Sequence, residues 1–394
     1  MQFVADRLRD WLVQNRVTML GVGPMSRTST LAAIRLANRY RAPVALIPSR
    51  RQVDARAFGG GYVENWSTDE FSAFVRKHDE GGYALLSRDH SGPWQSQPDP
   101  TCAEGSMSLP NAMAEVKVSL SDDIAAGFDL LHIDPSPALS RGFSEDDVDD
   151  IAVELIEHCV ASMPVGRHVA FEVGTDEQDL APDSLVATSL RMTRITNKLE
   201  GRGLPQPLFY VAQTGTKVAE TRNIGSFDQP LTVSGSIPST VHLPAILELC
   251  GSHGLLLKEH NADYLSDNAL RWHRKFGIHA ANVAPEFGVV ETQELLDCLA
   301  ELDLTSERQR FCDLVLSGRR WEKWLIHGSD ASELERVRIA GHYHFSDPEV
   351  IEIRAAASGA AEAKGYSLED RVYNRVESAI DRYLRAFGYG GPRA

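Results

Sequence analysis

With 394 residues, 43% of them hydrophobic, the chain can bury a large core and leave roughly a hundred residues beyond a barrel of about 250. Its formal net charge of −15 argues against a nucleic-acid binder, since a phosphate backbone demands a basic footprint. No apolar stretch approaches the roughly 20 residues that span a bilayer, and charges enter the N-terminal segment too early for a secretory signal, so the expected location is cytoplasmic.

Eight short apolar runs recur along the chain, at 17–22, 44–47, 83–86, 130–133, 169–171, 208–211, 255–257 and 278–281. They are nearly continuous in apolar character rather than alternating, as parallel strands covered on both faces are. Helix-compatible segments at 29–40, 68–78, 145–163 and 184–199 lie between them, with another at 291–302 after the eighth run. Strand alternating with helix eight times predicts an α/β protein built as a (β/α)8 TIM barrel. The barrel is expected over 1–303, followed by a C-terminal helical extension over 304–394 packed on it. In that extension Val372, Val376, Ile380 and Leu384 recur every four residues, an apolar stripe suited to packing on the barrel or to a subunit contact. His342 and His344 fall in a segment that reads as a surface turn.

Two long irregular stretches, 87–108 and 219–240, follow the third and sixth runs, where a barrel carries its binding loops. The five cysteines are scattered and show no zinc-ribbon or redox spacing, which predicts reduced thiols.

Polar residues gather just past the apolar runs, at the rim where barrel chemistry resides. An imidazole fixed at a strand end is a good divalent-metal ligand and a neighbouring carboxylate a good general base, which singles out Asp89 and His90. Glu259 and His260 offer a second such pair from across the barrel, and Glu172 and Asp176 supply carboxylates. Catalytic candidates are therefore Asp89, Glu172 and Glu259, and metal-ligand candidates His90, Asp176 and His260. Glu172 has the alternative of a core carboxylate paired with Arg or Lys, and the choice between Glu172 and Asp176 as ligand stays open. His132 and His279 lie inside strands and read as buried hydrogen-bonding residues. Ser49, Arg50, Arg51, Asp134, Gln213, Asn282 and Glu286 are the substrate-binding candidates, the arginines for a phosphate or carboxylate. The nitrogen and oxygen donors suit zinc, with manganese or cobalt as alternatives.

In chain order, the rim segments resemble the Z-type subunit family of D-tagatose-bisphosphate aldolase, GatZ and KbaZ. The likeness is carried by Ser49-Arg50-Arg51-Gln52-Val53-Asp54, Asp89-His90-Ser91-Gly92-Pro93, His132-Ile133-Asp134-Pro135-Ser136, Val173-Gly174-Thr175-Asp176, Gln213-Thr214-Gly215 and Glu259-His260-Asn261-Ala262-Asp263-Tyr264. The resemblance implies a class II aldolase-like fold, a zinc-type metal, Asp89 as acid/base and His90 as ligand. It implies a small-molecule sugar or sugar phosphate as substrate, handled by aldol cleavage or by retro-aldol epimerisation. It also implies an alternative, a non-catalytic subunit that stabilises an aldolase partner, and it leaves a homo-oligomer open. The chain departs from the family pattern in the added positive charge of Arg50 and Arg51 and in Asn282-Val283-Ala284-Pro285-Glu286, where the family carries a lysine.

Overall fold

A computed structural model of the chain describes residues 5–97, 105, 107–174, 184–228 and 239–390. Eight parallel strands close into a barrel: β1 (Met19–Val22), β2 (Val44–Leu46), β3 (Ala84–Ser91), β4 (Leu130–Ile133), β5 (Ala170–Gly174), β6 (Phe209–Val211), β9 (Leu256–Glu259) and β10 (Ala280–Val283). A small antiparallel pair, β7 (Val218–Ala219) and β8 (Arg222–Asn223), decorates the loop after β6. All eight expected runs are barrel strands, and β1 closes on β10 with Met19 beside Ala280 and Gly21 beside Asn282. The (β/α)8 reading therefore holds. The apolar runs succeed as predictors because each strand is covered on both faces, by barrel interior and helix ring.

The helices are α1 (Ala5–Asn15), α2 (Arg27–Tyr40), α3 (Thr68–His78), α4 (Leu109–Ala126), α5 (Glu145–Ser162), α6 (Leu185–Gly201), α7 (Ser239–Ser252), α8 (Asp267–Phe276), α9 (Pro285–Glu301), α10 (Thr305–Gly318), α11 (Glu333–Ala340), α12 (Pro348–Ala363) and α13 (Leu368–Ala386). Serines start many of them by accepting the orphan N–H groups of the first turn, as Ser26 does for α2 and Ser144 for α5. None of the described helices is long and apolar enough to cross a membrane.

Two expectations change. The third strand does not end at Leu86 but runs on to Ser91, still paired with β4, by way of a bulge between Arg88 and Ser91. Asp89 and His90 thus sit on a distorted strand end, and only part of the 87–108 stretch is irregular among the described residues. His342 and His344 are not on a surface turn: both are buried in a short 3-10 turn, Gly341–His344. The ring of His342 packs so closely on α9 that a side chain at Gly288 would overlap it.

The apolar stripe of α13 is buried within this chain. Val376, Ile380, Tyr383 and Leu384 join the apolar core that contains the strands, whereas Val372 joins a second core formed by α9 to α12. Polar ties reinforce the seat: Tyr40 donates to Asp381 at 2.6 Å and Arg39 pairs with Glu377 at 2.7 Å. Beyond α13, Tyr389 donates from its hydroxyl to the carbonyl of Pro43 at 2.6 Å.

Leu384→Ala should therefore destabilise the whole barrel by about 2–5 kcal/mol, the usual cost of truncating a buried leucine, read as a single shifted urea transition. A separate early transition, with the barrel midpoint unmoved, would show α13 to be an independent appendage.

Candidate metal centre and active site

The bulge on β3 turns Asp89 and His90 toward the barrel mouth, and His90 holds a left-handed backbone, φ +48°. A non-glycine residue in that region costs energy and persists only where surrounding contacts enforce it. Two contacts do so here. Arg88, buried beneath the bulge, is bonded to both oxygens of Asp123. Gly92, just beyond it, passes so close to the carbonyl of Asp134 that a Cβ would lie 1.9 Å from the oxygen.

Three imidazoles surround the Asp89 carboxylate. His90 Nε2 lies 3.6 Å from Oδ2, and His132 Nδ1 and His260 Nε2 lie 3.5 Å and 3.7 Å from Oδ1. The three ring centroids are 5.0–5.3 Å apart, a nearly equilateral triangle. One donor atom from each of Asp89, His90, His132 and His260 falls within 4.8 Å of the other three. The three ring nitrogens make a donor set suited to a divalent cation, with the Asp89 carboxylate beside it.

The hydrogen-bonding neighbours also fit. His90 Nδ1 bonds to Asp134 Oδ2 at 2.8 Å, so Asp134 fixes the proton there and leaves the Nε2 lone pair facing Asp89. Gln95 donates to the same Asp134 oxygen at 2.7 Å. His132 Nε2 bonds to the carbonyl of Gly174 at 3.2 Å, which puts its proton on Nε2 and its lone pair on Nδ1. Burial alone would raise the pKa of Asp89, but the charges that His90, His260 and His132 carry when protonated outweigh it and hold the carboxyl well below the usual range. Asp134 is brought down to about 2 against the same burial penalty, chiefly by its bond to His90.

The cluster opens into a cavity of about 750 Å³, lined also by Ser49, Arg50, Arg51 and Asn282, a volume typical of small-molecule sites. Asn282 donates to Asp89 Oδ1 at 3.3 Å. Its own Oδ1 has no hydrogen-bond partner, and Gly21 on β1 makes room for it, since a Cβ there would lie 2.2 Å from that oxygen.

The other candidates lie elsewhere. Glu172 pairs with Lys258 at 2.7 Å inside the barrel, both buried and neither lining the cavity. Glu259 faces the other way, bonded to His273 of α8 at 2.6 Å and to Thr214. Strand alternation explains the divergence: Lys258 and His260 share one face of the strand end and Glu259 takes the other. Asp134 stands behind His90 rather than in the cavity wall. Gln213 accepts the N–H groups of Gly215 and Thr216 and so shapes its own turn. Glu286 bonds to Tyr383 and to the N–H of Tyr264. Asp176 lies outside the described residues. His132, read from the sequence as a buried hydrogen-bonding residue, is that and also a member of the cluster. The signal was its place one residue from the end of an apolar strand, where an inward side chain reaches the rim.

A second acidic group lies beside the cavity. Asp263 accepts the N–H groups of Ala284 and Glu286 at the start of α9. Burial, reinforced by the charge of Glu286, pushes its pKa up to about 8.

No family model and no curated protein matches the chain in sequence. Among solved structures it is similar to a probable tagatose 6 phosphate kinase from Sinorhizobium meliloti 1021, with TM-score 0.73 and 18% identity over 94% of this chain and 100% of that one. It is also similar to fructuronate-tagaturonate epimerase UxaE from Cohnella laeviribosi, with TM-score 0.56 and 12% identity over 95% of this chain and 82% of that one. A fructose-bisphosphate aldolase from Campylobacter jejuni follows, with TM-score 0.54 and 11% identity over 98% of this chain and 96% of that one. At these identities the likeness is one of fold.

The raised pKa of Asp263 has a definite sign. The folded chain keeps this proton up to about pH 8, whereas an unfolded aspartate loses it near 3.9, so stability falls as pH rises between those limits. Asp263→Asn, which mimics the protonated acid, should gain on the parent in melting temperature from pH 5 to pH 8. Parallel pH–melting curves would refute the shift.

Proposed function

We propose that the chain is a divalent-metal enzyme of the carbohydrate aldolase and epimerase type, acting on a ketose or ketose derivative. The single observation that carries this reading is the Asp89 carboxylate held among three imidazoles, those of His90 and His132 oriented by hydrogen bonds, at the floor of a sugar-sized cavity. The fold neighbours support it, being named for a kinase, an epimerase and an aldolase of sugars; their differing chemistries mean that the site, not the likeness, must choose the reaction.

His90, His132 and His260 would hold the cation, with zinc the first candidate and manganese or cobalt close behind. A bound cation would polarise the ketone and offset the negative charge that develops when the adjacent carbon–carbon bond breaks. Asp89 is ionised at neutral pH and sits where it accepts the proton of the substrate hydroxyl as that bond cleaves. It returns the proton on re-addition. Re-addition to the opposite face of the carbonyl gives an epimer, and release of the aldehyde gives net aldol cleavage. Asn282 fixes Asp89 through its amide N–H and offers its unpartnered oxygen to a substrate hydroxyl. Asp134 and Gln95 hold the His90 ring in the orientation that keeps Nε2 unprotonated.

Asp89→Ala should lose at least about a hundredfold in turnover of a ketose substrate while still retaining metal, the scale of a positioned acid/base. Wild-type turnover in that variant would remove Asp89 from the mechanism. Asp134→Ala, which touches no reacting atom, should weaken metal affinity by about 10–100-fold in a competition titration with a chelator. A His90→Ala, His132→Ala, His260→Ala triple variant that binds metal as tightly as the parent would overturn the assignment of the centre.

A further inference from the structure

The extension does more than pack on the barrel: from Gly318, the last residue of α10, to Trp324, it forms part of the wall of the same cavity. It is fixed there by contacts from three directions. Glu220, in the hairpin after β6, donates its N–H to the carbonyl of Trp324 at 2.8 Å. The indole of Trp324 donates to the hydroxyl of Tyr343 at 3.2 Å. Ser346 donates to the carbonyl of Tyr62 at 2.9 Å and accepts from the N–H of Glu64 at 2.8 Å, tying the extension to the loop after β2.

The segment carries three cations, and the structure sorts them. Arg319 is neutralised by Glu322, with its Nε 2.7 Å from the carboxylate. Arg320 and Lys323 have no carboxylate within ion-pair distance among the described residues. Both instead lie against the ring of Tyr343, at 5.5 Å and 5.1 Å from its centroid, and Arg320 also approaches Tyr62 at 5.9 Å. Across the cavity wall, Arg50 is only 2% exposed. Its Nε is bonded to Asp54, Nη2 reaches the same carboxylate at 3.2 Å without hydrogen-bond geometry, and Nη1 has no partner at all. A buried guanidinium in a cavity wall with N–H groups left over from its carboxylate pair has donors to offer an oxyanion. The field of these cations is felt by their neighbours: besides the dominant effect of burial, Lys323 and Arg320 help push His342 down to about 3.

Resting on the sugar-enzyme reading above, we infer that Arg320 and Lys323 of the extension, with Arg50 of the barrel, form an anion subsite that selects a ketose carrying a phosphate or carboxylate away from the reacting carbons. On a chain of net charge −15, two cations without a carboxylate partner among the described residues, together with the leftover Nη1 of Arg50, attract an acidic group locally, since a pocket's field is set by its own lining. The shared chemistry is an oxyanion on a sugar; phosphate and carboxylate are its two sources.

The test is equilibrium binding of D-fructose 6-phosphate, D-fructuronate and D-fructose to the metal-loaded full-length chain, its Arg320→Gln, Lys323→Gln double variant and an Arg319→Gln control. One of the two anionic sugars should bind at least about tenfold more tightly than fructose, and which one does identifies the anion. The double variant should lose most of that preference with metal content and melting temperature unchanged, while the Arg319→Gln control keeps it. Equal binding of all three sugars to the parent, or a preference that survives in the double variant, would overturn the subsite. Because binding requires no turnover, a charge-dependent preference in a chain that cleaves and epimerises nothing would count against the enzyme reading alone.

Discussion

All five N–H groups of Arg88 are committed, and the mouth of the barrel is arranged around them. Nε and Nη2 hold the two oxygens of Asp123 on α4, at 2.8 Å and 2.6 Å. Nη1 holds the carbonyls of Pro48 and Val53 in the loop after β2, and Nη2 also reaches Thr68 at the start of α3. A buried guanidinium tolerates removal from water only when every donor is met, and losing one partner of such a pair typically costs about 3–5 kcal/mol. One residue before the bulge, Arg88 is thereby the fixed point from which the strained backbone of Asp89 and His90 projects. It also anchors the turn that carries Arg50. The imidazole cluster and the cavity wall that holds Arg50 thus share one buried support.

Much of this was legible in the chain. Continuous apolar runs revealed the eight strands because both faces of each strand are buried, a physical condition that writes itself into composition. Asp89, His90 and His260 could be picked out because ionisable residues at strand ends have few structural reasons to be there. Parity was the signal left unused: Lys258 and His260 share a face and Glu259 does not, so Glu259 could have been assigned to the helix ring from its position alone. His132 was harder, since a buried hydrogen-bonding histidine and a ligand make identical patterns until the neighbouring strand ends are known.

What the chain could not disclose were relations between distant segments. Asp134 looks like a residue for substrate, yet it spends its carboxylate on His90. Arg319, Arg320 and Lys323 read as one charged run, and only the fold shows that Glu322 silences the first while two aromatic rings hold the others at the cavity. The same holds for His342, whose burial depends on the contact between α9 and the turn before α12. Local spacing fixes which face a residue occupies; it does not say which other segment that face will meet.

The seat of α13 bears on how such a chain is made. The N–H of Leu20 in β1 meets the hydroxyl of Tyr389, 369 positions later, and Ile380 and Leu384 share the apolar core of the first strands. During synthesis the first strand therefore meets these partners only after the residues between them have emerged. Contacts of such long range are slow to form, and the interval exposes the nascent chain to clumping. Closure of the first strand against these late elements is thus reached only after the intervening strands and helices have been made.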